Sequence, residues 1–227
     1  MFSTLASEEL IPENPLRDYR APGVEESDPA ALTADQMRLL LSQPDQSRPL
    51  QFRDFVMMSL FYDSKCRLSE LAEMEVGRID FQGRPPSFTV LGKGRGKGRR
   101  WLTYYFSPFG AKLLSRYLAA RPESALGVTN VFLRHDGQPL IEERMYRQVR
   151  HYGEKAGIKV YPHMLRHSGA REHLRHGGNL PELQVLLNHK TLRSTMIYSK
   201  LGNEDARRAM ARFSPLNALG VVPKKKR

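Results

Sequence analysis

The chain has 227 residues, a formal net charge of +12 and 40% hydrophobic content, which excludes global disorder and suits one large domain or one domain with appendages. No apolar run approaches the roughly 20 residues of a spanning helix, and the acidic start "MFSTLASEELIPENPL" lacks the apolar stretch of a secretory leader. Cys66 is the only cysteine, which excludes an internal disulfide and a cysteine-built zinc site and fits a reducing compartment, while the basic excess favours a polyanionic partner over a membrane surface.

Taken in chain order, "FSTLASEEL" reads as the last turns of a helix, and the Pro- and acid-rich residues 12–30 as an extended linker. Residues 1–30 hold seven acids and two bases, so the remainder is more basic than the total suggests. The first compact element begins at "LTADQMRLLL", where Thr33 and Gln36 match a capping box ahead of Met37, Leu39, Leu40 and Leu41. A second helix is expected over 51–62 and another after Arg67. Between 79 and 105 the short runs "IDFQG", "SFTVLG" and "RWLTYYF" predict a three-stranded antiparallel sheet, with "GKGRGKGRR" as the turn before its last strand. From about 108 the spacing is helical again, over 108–120, 141–157, 162–176, 180–188, 191–199 and 203–213. The expected fold is mainly α with a small three-stranded antiparallel β-sheet (α+β).

Several stretches carry chemistry-bearing residues, each with an ordinary structural explanation. In "YPHMLRHSGAREHLRHG", Pro162 opens a helix and places His163, Arg166 and His167 on one face. That pattern alone describes a solvated basic face. His163 and His167 have the i, i+4 spacing of zinc ligands, but the HExxH glutamate is missing and no third ligand follows, so no metal is expected. The turn holds five cations, Lys93, Arg95, Lys97, Arg99 and Arg100, and no acid. Its glycines allow close backbone approach, and such density favours nucleic acid over a merely flexible turn. Arg67 and Glu70 in "YDSKCRLSELAEM" form an i, i+3 pair, either an ordinary surface ion pair or an arginine held by a carboxylate and aimed at a phosphate. Tyr198 follows His189 by nine residues in "LLNHKTLRSTMIYSK" and could be packing or a nucleophile.

In this order the stretches resemble the tyrosine recombinase (phage integrase) family, Xer-like in flavour, over about residues 30–205. "CRLSEL" is similar to its Arg-x-Ser-Glu-Leu box, "VLGKGRGKGRR" to its strand–lysine–strand turn, "PHMLRHSGAREHL" to its His-x-Leu-Arg-His helix, and "LLNHKTLRSTMIYSK" to its Leu-Leu-x-His box followed by tyrosine. The resemblance implies Arg67, Lys93, His163, Arg166, His189 and Tyr198 as catalytic residues, with Glu70 buttressing Arg67 and a neighbouring histidine, and Arg95, Lys97, Arg99 and Arg100 contacting DNA. On that basis Arg67 and Arg166 stabilise the charged phosphorane, His163 and His189 add donors, and His163 also helps deprotonate the nucleophile. Nearby cations ease ionisation of Tyr198, and Lys93 protonates the leaving 5′ oxygen. His167 is read as structural and Cys66 as a small core residue.

The implied activity is site-specific cleavage and rejoining of DNA strands through a 3′-phosphotyrosyl intermediate, without metal or nucleotide cofactor. Implied partners are double-stranded DNA with specific recombination sites and further copies of the chain, a tetramer on DNA. A type IB topoisomerase, a telomere resolvase and a non-catalytic DNA-binding module are the alternatives on the same scaffold. Residues 1–30 are expected to be a linker and remnant of an N-terminal DNA-clamping domain, 31–213 the catalytic domain, and 214–227 an apolar segment and basic tail. The expected location is cytoplasmic, bacterial or phage and nucleoid-associated, and nuclear only if the basic tail "PKKKR" acts as an import signal.

Overall fold

The computed structural model describes residues 2–13, 15, 17, 30–92 and 100–198. Its elements in chain order are α1 (Phe2–Ser7), α2 (Ala34–Leu41), α3 (Pro49–Ser64), α4 (Leu68–Ala72), β1 (Ile79–Asp80), β2 (Ser87–Leu91), β3 (Trp101–Tyr105), α5 (Pro108–Ala120), α6 (Glu142–Lys155), α7 (Pro162–Arg175) and α8 (Leu180–Leu186). Single 3₁₀ turns occupy Val76–Arg78, Leu192–Ser194 and Met196–Tyr198. The architecture is mostly helical with one small antiparallel sheet, the expected class. No described helix is long and apolar enough to cross a membrane.

Helix α3 is central. Phe52, Val56, Met57, Met58, Leu60 and Phe61 are all buried along it, and it packs on α2, α5 and α7. A helix apolar on most sides must sit inside the fold. It also carries Arg53 and Asp54 into the interior. There Arg53 Nη2 lies 2.6 Å from Asp54 Oδ1, Arg53 Nη1 donates to the Leu133 carbonyl at 2.9 Å, and the Tyr152 hydroxyl donates to Asp54 Oδ2 at 3.1 Å. Such pairing is what makes a buried charge tolerable.

The sheet has order β1-β2-β3. Cross-strand partners Phe88 with Tyr104 and Val90 with Leu102 point into the core, while Trp101 and Tyr105 face outward. This period-2 alternation is the one a half-covered sheet requires. The Phe88 and Tyr104 rings stack at 5.5 Å. The Arg78 guanidinium lies 4.0 Å from the exposed Trp101 ring centroid.

Two stretches add to or depart from the sequence expectation. Residues 121–140, left unassigned between the helices expected over 108–120 and 141–157, form an extended loop with bridges Glu75 to Asn130 and Leu133 to Pro139, and drive Val131, Phe132 and Leu133 into the core. The helix expected over 191–199 is two 3₁₀ turns over its described part. Hydroxyls explain the second difference: Thr191 Oγ1 and Ser194 Oγ lie 3.2 Å apart, and Thr195 Oγ1 engages His189. Such side chains compete with regular helical bonding. The helix expected over 203–213 lies outside the described residues, as does the tail.

A second, smaller apolar cluster sits apart from the main core. It contains Ala170, Leu183, Leu187 and Tyr198, edged by Leu174, Leu180 and Ile197.

Candidate active site

Two arginines enter the site from different elements. Helix α3 ends at Lys65, whose φ of 55° is left-handed, and this reversal delivers Arg67 to the N-cap of α4. Glu70, one turn into α4, is 4% exposed. Its carboxylate accepts the Arg67 backbone N–H at 2.6 Å, the Arg67 guanidinium at 2.9 Å and the Tyr104 hydroxyl at 2.6 Å. A buried carboxylate with three donors is a rigid anchor. Glu70 therefore does hold Arg67, but its second partner is the sheet tyrosine, not the histidine expected from sequence.

Arg166 comes from α7. Gly169, three residues on, allows α7 to lie against α3, because a Cβ there would overlap the Tyr62 carbonyl. The Arg166 side chain donates to the Lys65 carbonyl and, at 3.0 Å, to the Leu187 carbonyl. Arg166 Nη2 also lies 3.3 Å from His189 Nε2. A guanidinium can only donate, so Nε2 accepts, and the His189 proton resides on Nδ1, which donates to Thr195 Oγ1 at 3.0 Å. Burial, aided by Arg166, Arg67 and His167, pushes the His189 pKa down to about 4, which keeps the ring neutral. Both ring nitrogens are thus committed within the protein. In this arrangement His189 orients Arg166 and has no N–H left to offer a phosphate, unlike the donor role expected from sequence.

The backbone that presents His189 is a Schellman turn. Asn188 is left-handed at φ 51°, its N–H donates to the Val185 carbonyl at 3.0 Å, and the His189 N–H donates to the Gln184 carbonyl at 3.1 Å. The Asn188 side chain donates to the Thr103 carbonyl at 2.8 Å, tying the turn to β3.

Tyr198 is 6% exposed, with its ring in the small apolar cluster. Its hydroxyl escapes that packing and lies 2.6 Å from His167 Nδ1. Burial raises the Tyr198 pKa and Arg166 opposes this only in part, so the expected easing of ionisation by nearby cations does not prevail in the free protein. Burial, with help from His163, Arg166 and Arg171, holds His167 down to about 4. The ring centroids of His163 and His167 are 6.1 Å apart, and those of His167 and Tyr198 5.7 Å.

Arg67, His163, Arg166, His167, His189, Ser194, Ile197 and Tyr198 line one open cleft of about 420 Å³. A second cleft of about 410 Å³ shares Arg67, His189 and Ser194 with it and adds Ser69, Gly92, Arg100 and Lys190. Five of the six residues expected to be catalytic therefore meet at one opening. The sixth, Lys93, lies outside the described residues with Arg95, Lys97 and Arg99, although its neighbour Gly92 lines the second cleft. Arg100 is described, and its guanidinium lies 3.4 Å from the Asn188 carbonyl. The clefts also take in His167, to which sequence reading gave a structural role, and Lys190, which it did not single out and for which there was no signal beyond its charge. Cys66 is fully buried and its thiol is pushed up to about 12 by burial, as a core residue should be.

Comparison with known proteins agrees with this architecture. Residues 30–204 match the Phage integrase family, and the chain belongs to that family. It is 36% identical over 205 residues to the tyrosine recombinase XerC of Actinobacillus pleuropneumoniae serotype 7, covering 88% of this chain and 64% of that protein. It is 32% identical over 207 residues to the tyrosine recombinase XerD of Xanthomonas axonopodis pv. citri, covering 86% and 66%. The chain thus spans less than two thirds of the length of these relatives. Its fold matches that of the Tn1549 transposon integrase in complex with transposon right end DNA, with a TM-score of 0.73, 20% identity, and coverage of 94% of this chain and 75% of that one.

Proposed function

We propose that this chain is the catalytic part of a site-specific DNA recombinase that cleaves and rejoins strands through a 3′-phosphotyrosyl intermediate. The observation that carries this reading is the single cleft lined by Arg67, Arg166, His163, His189 and Tyr198. Two permanently charged, planar guanidiniums facing one space suit the non-bridging oxygens of a phosphodiester, whose negative charge grows in the transition state. Tyr198 supplies the attacking oxygen. Lys93 protonates the departing 5′ oxygen. The covalent link conserves the energy of the broken bond, so rejoining needs no nucleotide.

Double-stranded DNA is the partner that a +12 chain and the DNA complex of the Tn1549 integrase both favour. Arg95, Lys97, Arg99 and Arg100 hold its backbone near the cut. Strand exchange between two sites calls for more than one protomer, and a tetramer on paired sites is the assembly this reading entails.

A nicked suicide substrate tests the proposal. The unaltered chain forms a heat- and detergent-stable protein–DNA adduct, and Tyr198→Phe binds equally but forms none. Lys93→Ala slows cleavage of ordinary DNA and leaves a 5′-thiolate substrate largely unaffected. If the unaltered chain binds DNA without forming an adduct, the non-catalytic binding module replaces the recombinase. Relaxation of supercoils by a lone protomer, without exchange between sites, replaces it with a topoisomerase.

A further inference from the structure

We propose that His167 is the general base that takes the Tyr198 phenolic proton, and that it becomes competent only when a phosphodiester occupies the space between Arg67 and Arg166. The inference rests on the recombinase reading and adds a residue to which sequence analysis gave a structural role.

The geometry is direct. His167 Nδ1 is 2.6 Å from the Tyr198 oxygen, within reach for proton transfer without rearrangement. His163 lies one turn away on the same helix, and the contact to the hydroxyl is made by His167. Of the two possible orientations, O–H to nitrogen is favoured over N–H to oxygen, because a phenol is the more acidic partner and an imidazole nitrogen the more basic. That orientation places the ring proton on Nε2 of a residue that lines the cleft with Tyr198.

The charge surroundings supply the gate. His167 faces Arg166, His163 and Arg171 from its own helix, Tyr198 from the last 3₁₀ turn, and His189 from the loop after α8. Arg67 of α4 lines the same cleft. In the free protein burial, reinforced by Arg166 and Arg171, makes an imidazolium expensive, and the imidazole stays neutral beside a neutral phenol. A phosphodiester between the arginines offsets the cationic part of that cost. The proton then passes from the phenol to Nδ1, the phenolate lone pair attacks phosphorus, and the bond to the 5′ oxygen breaks as that oxygen gains its proton from Lys93. In the reverse step the 5′ hydroxyl gives its proton back to Lys93 and attacks phosphorus, the phosphotyrosyl bond breaks, and His167 returns its proton to the phenolate. A buried nucleophile kept protonated until substrate arrives cannot cut adventitiously.

The test measures single-turnover adduct formation on the nicked suicide substrate for His167→Asn and His167→Gln, with DNA affinity and urea midpoints measured alongside. Both variants are expected to bind DNA normally and to form adduct about 100-fold or more slowly, the usual effect of losing a general base. Placing at 198 a fluorinated tyrosine whose phenol ionises near neutrality removes the need for a base, and should bring each variant within about threefold of the chain that carries His167 and the same fluorinated residue. A deficit under about threefold with ordinary tyrosine, or one undiminished by the fluorinated residue, overturns the proposal. A second measurement leaves His167 in place and does not depend on the variants folding. Imidazole nitrogen NMR of the unaltered chain at pH 7 should show an unprotonated Nδ1 and a protonated Nε2, and a protonated Nδ1 overturns the proposal. Absence of adduct from the unaltered chain on bound DNA instead defeats the recombinase reading itself.

Discussion

Glu70 is where stability and chemistry meet most closely, and its removal can be estimated from the bonds it makes. Its carboxylate takes the Arg67 backbone N–H, the Arg67 guanidinium and the Tyr104 hydroxyl while only 4% exposed. Hydrogen bonds to a charged group are worth about 1.5 kcal/mol each at the low end. The Arg67 side chain is 45% exposed and recovers water when its partner goes, but the Tyr104 hydroxyl is buried and cannot. Glu70→Ala should therefore cost about 3 to 4 kcal/mol, in line with breaking a buried pair from one side. Glu70→Gln keeps the shape and part of the bonding and should cost about half of that. Urea denaturation at constant m reads both values. A cycle with Tyr104→Phe should show coupling of about 1 kcal/mol or more, because the two groups share one bond. Adduct formation should also fall about 100-fold, since an unanchored Arg67 keeps its charge and loses its aim. A loss under about 1 kcal/mol for Glu70→Ala, or additivity with Tyr104→Phe, refutes the anchoring argument.

Three further outcomes follow from other parts of the frame. Gly169→Ala forces a methyl against the Tyr62 carbonyl and should lower stability by about 1 to 3 kcal/mol in the same assay, with loss of adduct formation as Arg166 shifts on its helix. Asn188→Gly accepts the positive φ but loses the 2.8 Å bond to the Thr103 carbonyl, and should cost about 1 kcal/mol, whereas Asn188→Val should cost more because a β-branched residue resists that backbone. His167 and His189 both titrate near pH 4 when folded, against about 6.5 when unfolded, so the unfolded chain binds more protons between those values. Their contribution to stability is complete above pH 6.5 and is lost as pH falls toward 4; urea midpoints should decline over that window, and His167→Gln should flatten the decline.

Much of this site was legible because chemistry confined it to short, ordered boxes. Arg67 with Glu70, His163 with Arg166, and His189 with Tyr198 are each separated by fewer than ten positions, so local geometry fixes most of each box. What the boxes did not reveal were partners that only tertiary packing supplies. Glu70 reaches Tyr104 across 34 positions, and Arg166 reaches the Lys65 carbonyl across 101. The neutral, fully committed state of His189 depends on Arg166 and Thr195 together. The loop over 121–140 was unreadable for a related reason: Phe132 stacks on Tyr117 of α5, the Leu133 carbonyl takes Arg53 of α3, and Asn130 bridges Glu75, all partners outside the loop, while its apolar residues carry no helical or strand period of their own. The polar run before Tyr198 misled in the opposite sense, since its threonines bond locally rather than continue a helix.

The two apolar clusters suggest how one cleft can be rigid toward phosphate and still release its nucleophile. Arg67 is fixed through Glu70 and Tyr104, and Arg166 through the end of α3, so both guanidiniums hang from the main core, with Arg166 also bonded at 3.0 Å to the Leu187 carbonyl of the smaller cluster. Tyr198 hangs from the smaller cluster of Ala170, Leu183, Leu187 and its own ring. Opening free energy tracks the buried apolar contacts that must be broken, so the small cluster opens at lower cost than the main core. Native-state hydrogen exchange should then show the amides of Leu187 and Tyr198, which bond to the Leu183 and Thr195 carbonyls, exchanging through a sub-global opening at least about 2 kcal/mol below that of Phe61 or Tyr104. DNA binding should narrow the gap, because a phosphate held by both arginines and approached by Tyr198 adds a second tie between the clusters beside the Arg166–Leu187 bond. Equal protection of all four amides in the free chain would mean that the nucleophile is as firmly built in as the cradle, and Tyr198 would then have to attack from where it now lies.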